Sequence, residues 1–99
     1  MEKRSVIWTE RAIHQLEEVY KYIAKDSILQ ADKVFDEIKV SSEAIIEQPE
    51  KNPPDKYKSN NKGNYRAYEI YRYRISYRIT KNTIYIVRLR STDRNPKLY

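Results

Sequence analysis

From Tyr71 to Thr80 the residues alternate: Tyr71, Tyr73, Ile75, Tyr77 and Ile79 fall on one parity, Arg72, Arg74, Ser76, Arg78 and Thr80 on the other. Successive side chains of a strand point to opposite faces, so this run predicts a half-buried strand with guanidinium groups along its free face. Arg88 and Arg90 repeat the arrangement on a following strand, and Arg94 lies just beyond. Arginine suits phosphate because its planar fork makes bidentate, charge-assisted bonds and stays charged when partly buried. Arg66, Arg74 and Arg90, on neighbouring strands, are therefore expected to converge on a few phosphates, with Arg72, Arg78, Arg88 and Arg94 around them. Tyr68 and Tyr99 would offer stacking surfaces for unpaired bases.

A face of this kind can also cut RNA, whose 2′-OH is its own nucleophile. The protein then supplies orientation, charge stabilisation at the phosphate and a proton donor and acceptor. The arginines would serve the second task, and a tyrosine with a lowered pKa part of the third. No general base stands out beside them. His14 falls within a helical pattern upstream, Glu69 is the only carboxylate of the arginine-rich strands, and Asp93 lies just past them. There is no Ser/His/Asp arrangement, no phosphate-cradling glycine loop and no metal-ligand spacing. With no cysteine and one histidine, the chain also lacks a disulfide framework and a thiolate or histidine-rich metal site. No cofactor and no metal are expected.

Ninety-nine residues make one domain, spanning 1–99, with a single modest core. The net charge of +6 is unevenly placed: residues 9–48 carry −4 and residues 49–99 carry +9. That segregation predicts a polyanion-facing half and a separate acidic half. No apolar run approaches the roughly 20 residues of a membrane span, and the opening MEKRSVIW has no signal-peptide core. A cytoplasmic protein without membrane partners is expected.

The elements that position the arginines read in order. Ser5-Val6-Ile7-Trp8-Thr9 suits a short strand, and Thr9 is a ready N-cap for the helix that follows. Ala12, Ile13, Leu16, Val19, Tyr20 and Ile23 recur at helical spacing, and Asp26-Ser27 offers the next N-cap. Ala31, Val34, Phe35, Ile38, Ala44 and Ile45 continue the period until Pro49. Residues 49–63 have loop composition, read as a solvated connector. Strands are expected over Asn64–Glu69, Tyr73–Thr80 and Thr83–Ser91, with turns near Ile70-Tyr71 and at Lys81-Asn82. The fold class is α+β: an N-terminal strand, an antiparallel helix hairpin, then a three-stranded antiparallel meander with the helices on one face. Strict alternation places Tyr85, Val87 and Leu89 toward the helices. It leaves Ile84 and Ile86 on the open face, in need of cover.

Several marks in this order resemble the RelE/ParE superfamily of toxins from bacterial type II toxin–antitoxin modules, and the resemblance covers essentially the whole chain. They are Ile7-Trp8-Thr9, then Ala12…Leu16…Tyr22-Ile23, Ala31, Pro49, Tyr65-Arg66, Tyr73 through Ile79, and the tail Arg90-Ser91-Thr92-Asp93-Arg94-Asn95-Pro96. The resemblance implies a toxin of the plasmid-stabilisation kind, neutralised by a cognate antitoxin whose C-terminal segment wraps it. Arg74 matches the superfamily's central-strand arginine and Arg66 a basic position of the preceding strand. Tyr99 is similar to the tyrosine near the nucleases' C-terminus, whereas Tyr68 stands where they carry a lysine. Ser91-Thr92 stands where many relatives have His-Thr, and Arg90 or Arg94 would substitute for a basic residue of the nuclease tail.

Two mechanisms follow from that resemblance. RelE-like members enter the ribosome and cut mRNA without metal; here Arg66, Arg74, Arg90 and Tyr99 would be the catalytic set, and this is the first reading. ParE-like members poison DNA gyrase instead and lack the nuclease residues. A degenerate member that retains only antitoxin binding is the third possibility.

Overall fold

Thr9 and Ser27 open the two helices, each hydroxyl accepting a hydrogen bond from an amide of the first turn: Ala12 at 3.2 Å and Gln30 at 3.1 Å. The structure, a computed structural model, describes residues 4–95 and 97–99; residues 1–3 and Pro96, the last residue of the tail motif, lie outside it. The chain runs β1 (Ser5–Trp8), α1 (Glu10–Ala24), α2 (Ile28–Ala44), a 3-10 turn at Ile45–Glu47, β2 (Tyr65–Ile70), β3 (Tyr73–Ile79) and β4 (Thr83–Ser91). The second helix thus gives way to the tighter turn a few residues before Pro49. The α+β architecture is as read from the sequence: strand, helix hairpin and antiparallel meander.

The strands form one sheet in the order β1-β4-β3-β2. β1 lies parallel to β4, and the β2–β3 and β3–β4 pairs are antiparallel. Lys81-Asn82 makes the β3–β4 turn, held by the Thr80 hydroxyl, which donates to the Thr83 carbonyl at 2.6 Å. Tyr71-Arg72 makes the β2–β3 turn, and Tyr71 takes φ +56°, a left-handed conformation unusual for a bulky side chain. Its hydroxyl donates to Glu37 of α2, which ties the turn to the helix layer.

The helices cover one face of the sheet. Ala12 and Leu16 of α1, and Val34 and Ile38 of α2, pack with Ile75, Tyr77, Ile84, Ile86 and Leu89 in a single core, flanked by Val6, Trp8 and Tyr68. Ile38, Ile75, Tyr77, Ile84 and Ile86 are wholly removed from solvent, and each buried aliphatic side chain contributes about 1.5–3 kcal/mol. Two residues of the helical stripes point elsewhere: Ile13 is 44% exposed and Ala44 is exposed as well. Ser42 takes an inward position instead and accepts the Trp8 indole N–H at 3.2 Å. No helix among the described residues is long and apolar enough to cross a membrane.

Strict alternation fails on β4, and one extra residue explains it. Ser76 pairs with Arg88, but Tyr77 pairs with Ile86, so Val87 is left without a partner in a β-bulge. A bulge shifts the parity of everything beyond it. Ile84 and Ile86 therefore face the helices with Leu89, while Tyr85 and Val87 do not; the expected assignment of these four is corrected. The open face needs no cover over Ile84 and Ile86 because they are not on it. The bulge falls where β4 loses its β1 neighbour. Thr9 donates its amide to Ile86, and Gln15 of α1 then accepts the Leu89 amide at 2.7 Å, taking over from the missing strand.

Candidate functional site

The segment read as a solvated connector builds the site. Residues 53–55 lie along the outer edge of β2, bridging Pro54 to Arg66, with the Asp55 amide donating to the Tyr65 carbonyl at 2.8 Å. The edge strand is thereby paired rather than left open. Two inward side chains pin this loop. Tyr77 donates its hydroxyl to the Pro49 carbonyl at 2.6 Å, and Arg66 donates to the carbonyls of Glu50, Asn52 and Gly63 at 3.1, 2.9 and 3.0 Å. Gly63, at φ +101°, supplies the left-handed turn that delivers the chain into β2.

The path delivers Asp55 beneath the open face, where it is 2% exposed. Arg74 donates to one of its oxygens at 3.0 Å, and the Tyr99 hydroxyl donates to the other at 2.5 Å. The Tyr57 amide adds a third bond at 3.1 Å. Burial alone would raise the Asp55 pKa. The Tyr99 and Ser76 hydroxyls, the Tyr57 amide and the Arg74 guanidinium outweigh it and hold the carboxyl below its ordinary value. The same network acts oppositely on Tyr99: burial, and then the hydrogen bond to Asp55, push its hydroxyl well above the usual range for tyrosine.

The last residue of the sequence is consequently held on every side. Its amide donates to Tyr57, its carbonyl accepts from Ser59 at 2.6 Å, and its ring packs edge-on to Tyr65 at 6.2 Å. The Arg88 guanidinium lies 4.5 Å from the centre of that ring, and the Lys58 ammonium 5.5 Å. Arg88 also donates to the Lys97 carbonyl at 2.8 Å and is only 9% exposed.

The register sorts the arginines into separate groups, because directly opposed residues of neighbouring strands share a face. Arg74 faces Arg90, Ser76 faces Arg88, and Glu69 faces Arg74, so these five occupy the open face together. Arg78, opposite Tyr65 and Tyr85, is an exposed member of the same face. Arg94 reaches the edge of the cavity that Arg74, Arg88 and Arg90 line. Arg72 sits in the β2–β3 turn, exposed, 3.5 Å from Asp93. Arg66 is opposite Tyr77 and Tyr68 opposite Ile75, which places both on the helix side of the sheet. Arg66 does not converge with Arg74 and Arg90; it clamps the loop. Tyr68 offers no stacking surface on the basic face: its hydroxyl meets that of Ser41 at 2.8 Å, and burial pushes its pKa up to about 12.

His14 is exposed on α1, 4.0 Å from Glu18, on the far layer of the molecule. Among the described residues no three His, Cys, Asp or Glu side chains are grouped as a metal site. The residue that sequence reasoning missed is Asp55. Its one signal was that it is one of two acids, with Glu50, in a lysine-rich loop, and nothing in that composition announces a buried carboxylate. The site as a whole is an arginine-rich face whose one buried acid and one candidate phenol are bound to each other.

The strand, helix-pair and meander plan has parallels among known proteins. No curated protein matches in sequence. In fold the chain is similar to a solved chain described as "Chromosomal ParDE TA system from P. aeruginosa", at a TM-score of 0.72 and 18% identity, covering 90% of this chain and 96% of that one. The sequence profile of the family described as "ParE toxin of type II toxin-antitoxin system, parDE" matches residues 6–96. From β1 to the tail, then, the chain belongs to the ParE toxin family of type II toxin–antitoxin systems.

Proposed function

We propose that this ParE-family toxin acts by binding rather than by cutting RNA, with DNA gyrase as its target. The observation that carries the reading is the closed Arg74–Asp55–Tyr99 network. A nuclease needs a group that takes a proton and one that gives it, with pKa values near the working pH. Here the buried acid is held below its ordinary value and the phenol above its own, so both sit far from neutrality. Each also occupies the other. Arg66, one of the residues a nuclease set would use, points into the loop clamp on the opposite face. What remains on the open face is charge and shape suited to recognition. As the toxin of a toxin–antitoxin system, it has a cognate antitoxin as its neutralising partner.

Two assays on the purified chain test this. With gyrase and plasmid DNA, supercoiling should fall and gyrase-dependent breaks accumulate. In a translating extract, mapped mRNA ends should match those of a toxin-free control. New ends within codons, together with unperturbed gyrase, would overturn the reading in favour of ribosome-dependent mRNA cleavage through the arginine face.

A further inference from the structure

The two edges of the sheet are finished differently. Residues 53–55 close the β2 edge. β1 forms the other edge, and β4 is its only neighbouring strand among the described residues. The Ser5 and Thr9 amides donate to Asn82 and Ile86 at 3.1 and 3.0 Å, so the odd-numbered residues turn their backbone groups toward β4. Those of Val6 and Trp8, at the alternate positions, therefore point outward to solvent. Unpaired donors and acceptors along a strand edge are a template for another strand. The side chains do little to prevent such pairing. From Ser5 to Thr9 there is no charge and no proline, and Ile7 is 46% exposed on the open face, in register with Tyr85.

We infer that this edge pairs antiparallel with the same edge of a second copy of the chain, about a two-fold axis at Ile7. The charge pattern around Ile7 selects that occupant and that register. Arg4 and Glu10 stand three residues to either side of it. An antiparallel self-pairing therefore sets each copy's Arg4 opposite the other's Glu10, twice by symmetry. Among the described residues, neither Arg4 nor Glu10 is within ion-pair distance of an opposite charge. A hydrogen bond from the Arg4 Nε to the Lys81 carbonyl at 3.3 Å keeps that side chain beside the strand. Val6 then lies opposite the second copy's Trp8, so the outward amides and carbonyls of both find partners. The two Ile7 side chains meet at the axis, where the pair makes no hydrogen bonds and side chains approach closely. Centring the pair on Val6 instead would set Arg4 against Trp8 and leave Glu10 unmatched. A contact this short is smaller than that of a stable complex, so the dimer forms at micromolar concentrations and above. It is independent of the toxin's target.

Sedimentation velocity on the full chain tests this, at physiological salt, where the long-range repulsion between two copies of net charge +6 is screened. From low micromolar to near-millimolar concentration it should show a monomer–dimer equilibrium. Arg4→Glu and Glu10→Arg should each weaken self-association about tenfold, because like charges then meet at both ends of the contact. An equimolar mixture of the two variants should dimerise again, since one copy carries two acids and the other two cations. Thermal unfolding of each variant checks its integrity. The chain has no cysteine, so Ile7→Cys reports the axis directly. Under oxidised glutathione it should link into a covalent dimer far faster than Leu29→Cys, at a more exposed position on α2. A wild-type chain that stays monomeric throughout, charge variants that mix without dimerising, or Ile7→Cys linking no faster than Leu29→Cys would each overturn the pairing.

Discussion

Asp55 and Tyr99, 44 positions apart in the chain, meet beneath the open face, where the phenol donates to a carboxylate that also holds Arg74. That single contact joins the loop after the helices, the central strand and the tail. In the proposed binding role, this contact holds the fold together and takes no part in chemistry.

Asp55→Asn leaves Arg74 with only its longer, more exposed contact to Glu69 at 3.4 Å. Removing one partner of a buried ion pair strands the other, and the expected loss of stability is about 3 kcal/mol. Urea unfolding of the purified toxin measures it. A loss below about 1 kcal/mol would mean that the pair is screened by water.

Tyr99→Phe keeps the ring against Arg88 and Tyr65 while deleting the bond to a charged acceptor, and should cost about 2 kcal/mol. Deleting Tyr99 altogether removes in addition the carbonyl that accepts from Ser59. Hydrogen exchange at the Ser59 amide should then accelerate far more than at the β3 amides. Equal acceleration everywhere would contradict a locally closed tail.

The pH dependence has two limbs of defined sign. Asp55 is depressed in the folded chain, so its contribution is complete above the ordinary aspartate value of 3.8. It is lost as pH falls through the lower folded value. Tyr68 is raised to about 12 from 10.0. Its contribution, about 3 kcal/mol at 1.36 kcal/mol per pH unit, is present below pH 10.0 and lost as pH rises toward 12. Unfolding free energy should therefore decline at both ends, the acid limb flattening in Asp55→Asn and the alkaline limb becoming shallower in Tyr68→Phe, where Tyr99, also raised, retains part of it. A wild-type stability that stays level from pH 5 down to pH 2 would contradict the first limb.

The bulge at Val87 is tested by alanine substitutions on either side of it. Ile86 is fully buried against the helices, and its truncation to alanine should cost about 3 kcal/mol. Val87, partly exposed on the other face, should lose about 1 kcal/mol or less under the same change. The reverse order would restore strict alternation along β4.

The amino-acid sequence determined the elements and their order, because those depend on local rules. Hydroxyl caps at Thr9 and Ser27, helical spacing through Ile38, and period-two alternation over Tyr73–Ile79 act within a few residues of themselves. The presence of a cationic, tyrosine-rich face was legible for the same reason. Only the tertiary structure decided which arginines share that face. One bulged residue reverses the parity of a strand at no cost in composition, so Ile84 and Ile86 became core while Arg88 and Arg90 stayed with Arg74. Arg66 and Tyr68 turned to the helix side because the register of β2 against β3 set them opposite Tyr77 and Ile75. Asp55 was illegible because its burial arises from a loop folded along a sheet edge and a tail folded across it. Both are contacts between distant parts of the chain, and no local pattern encodes them.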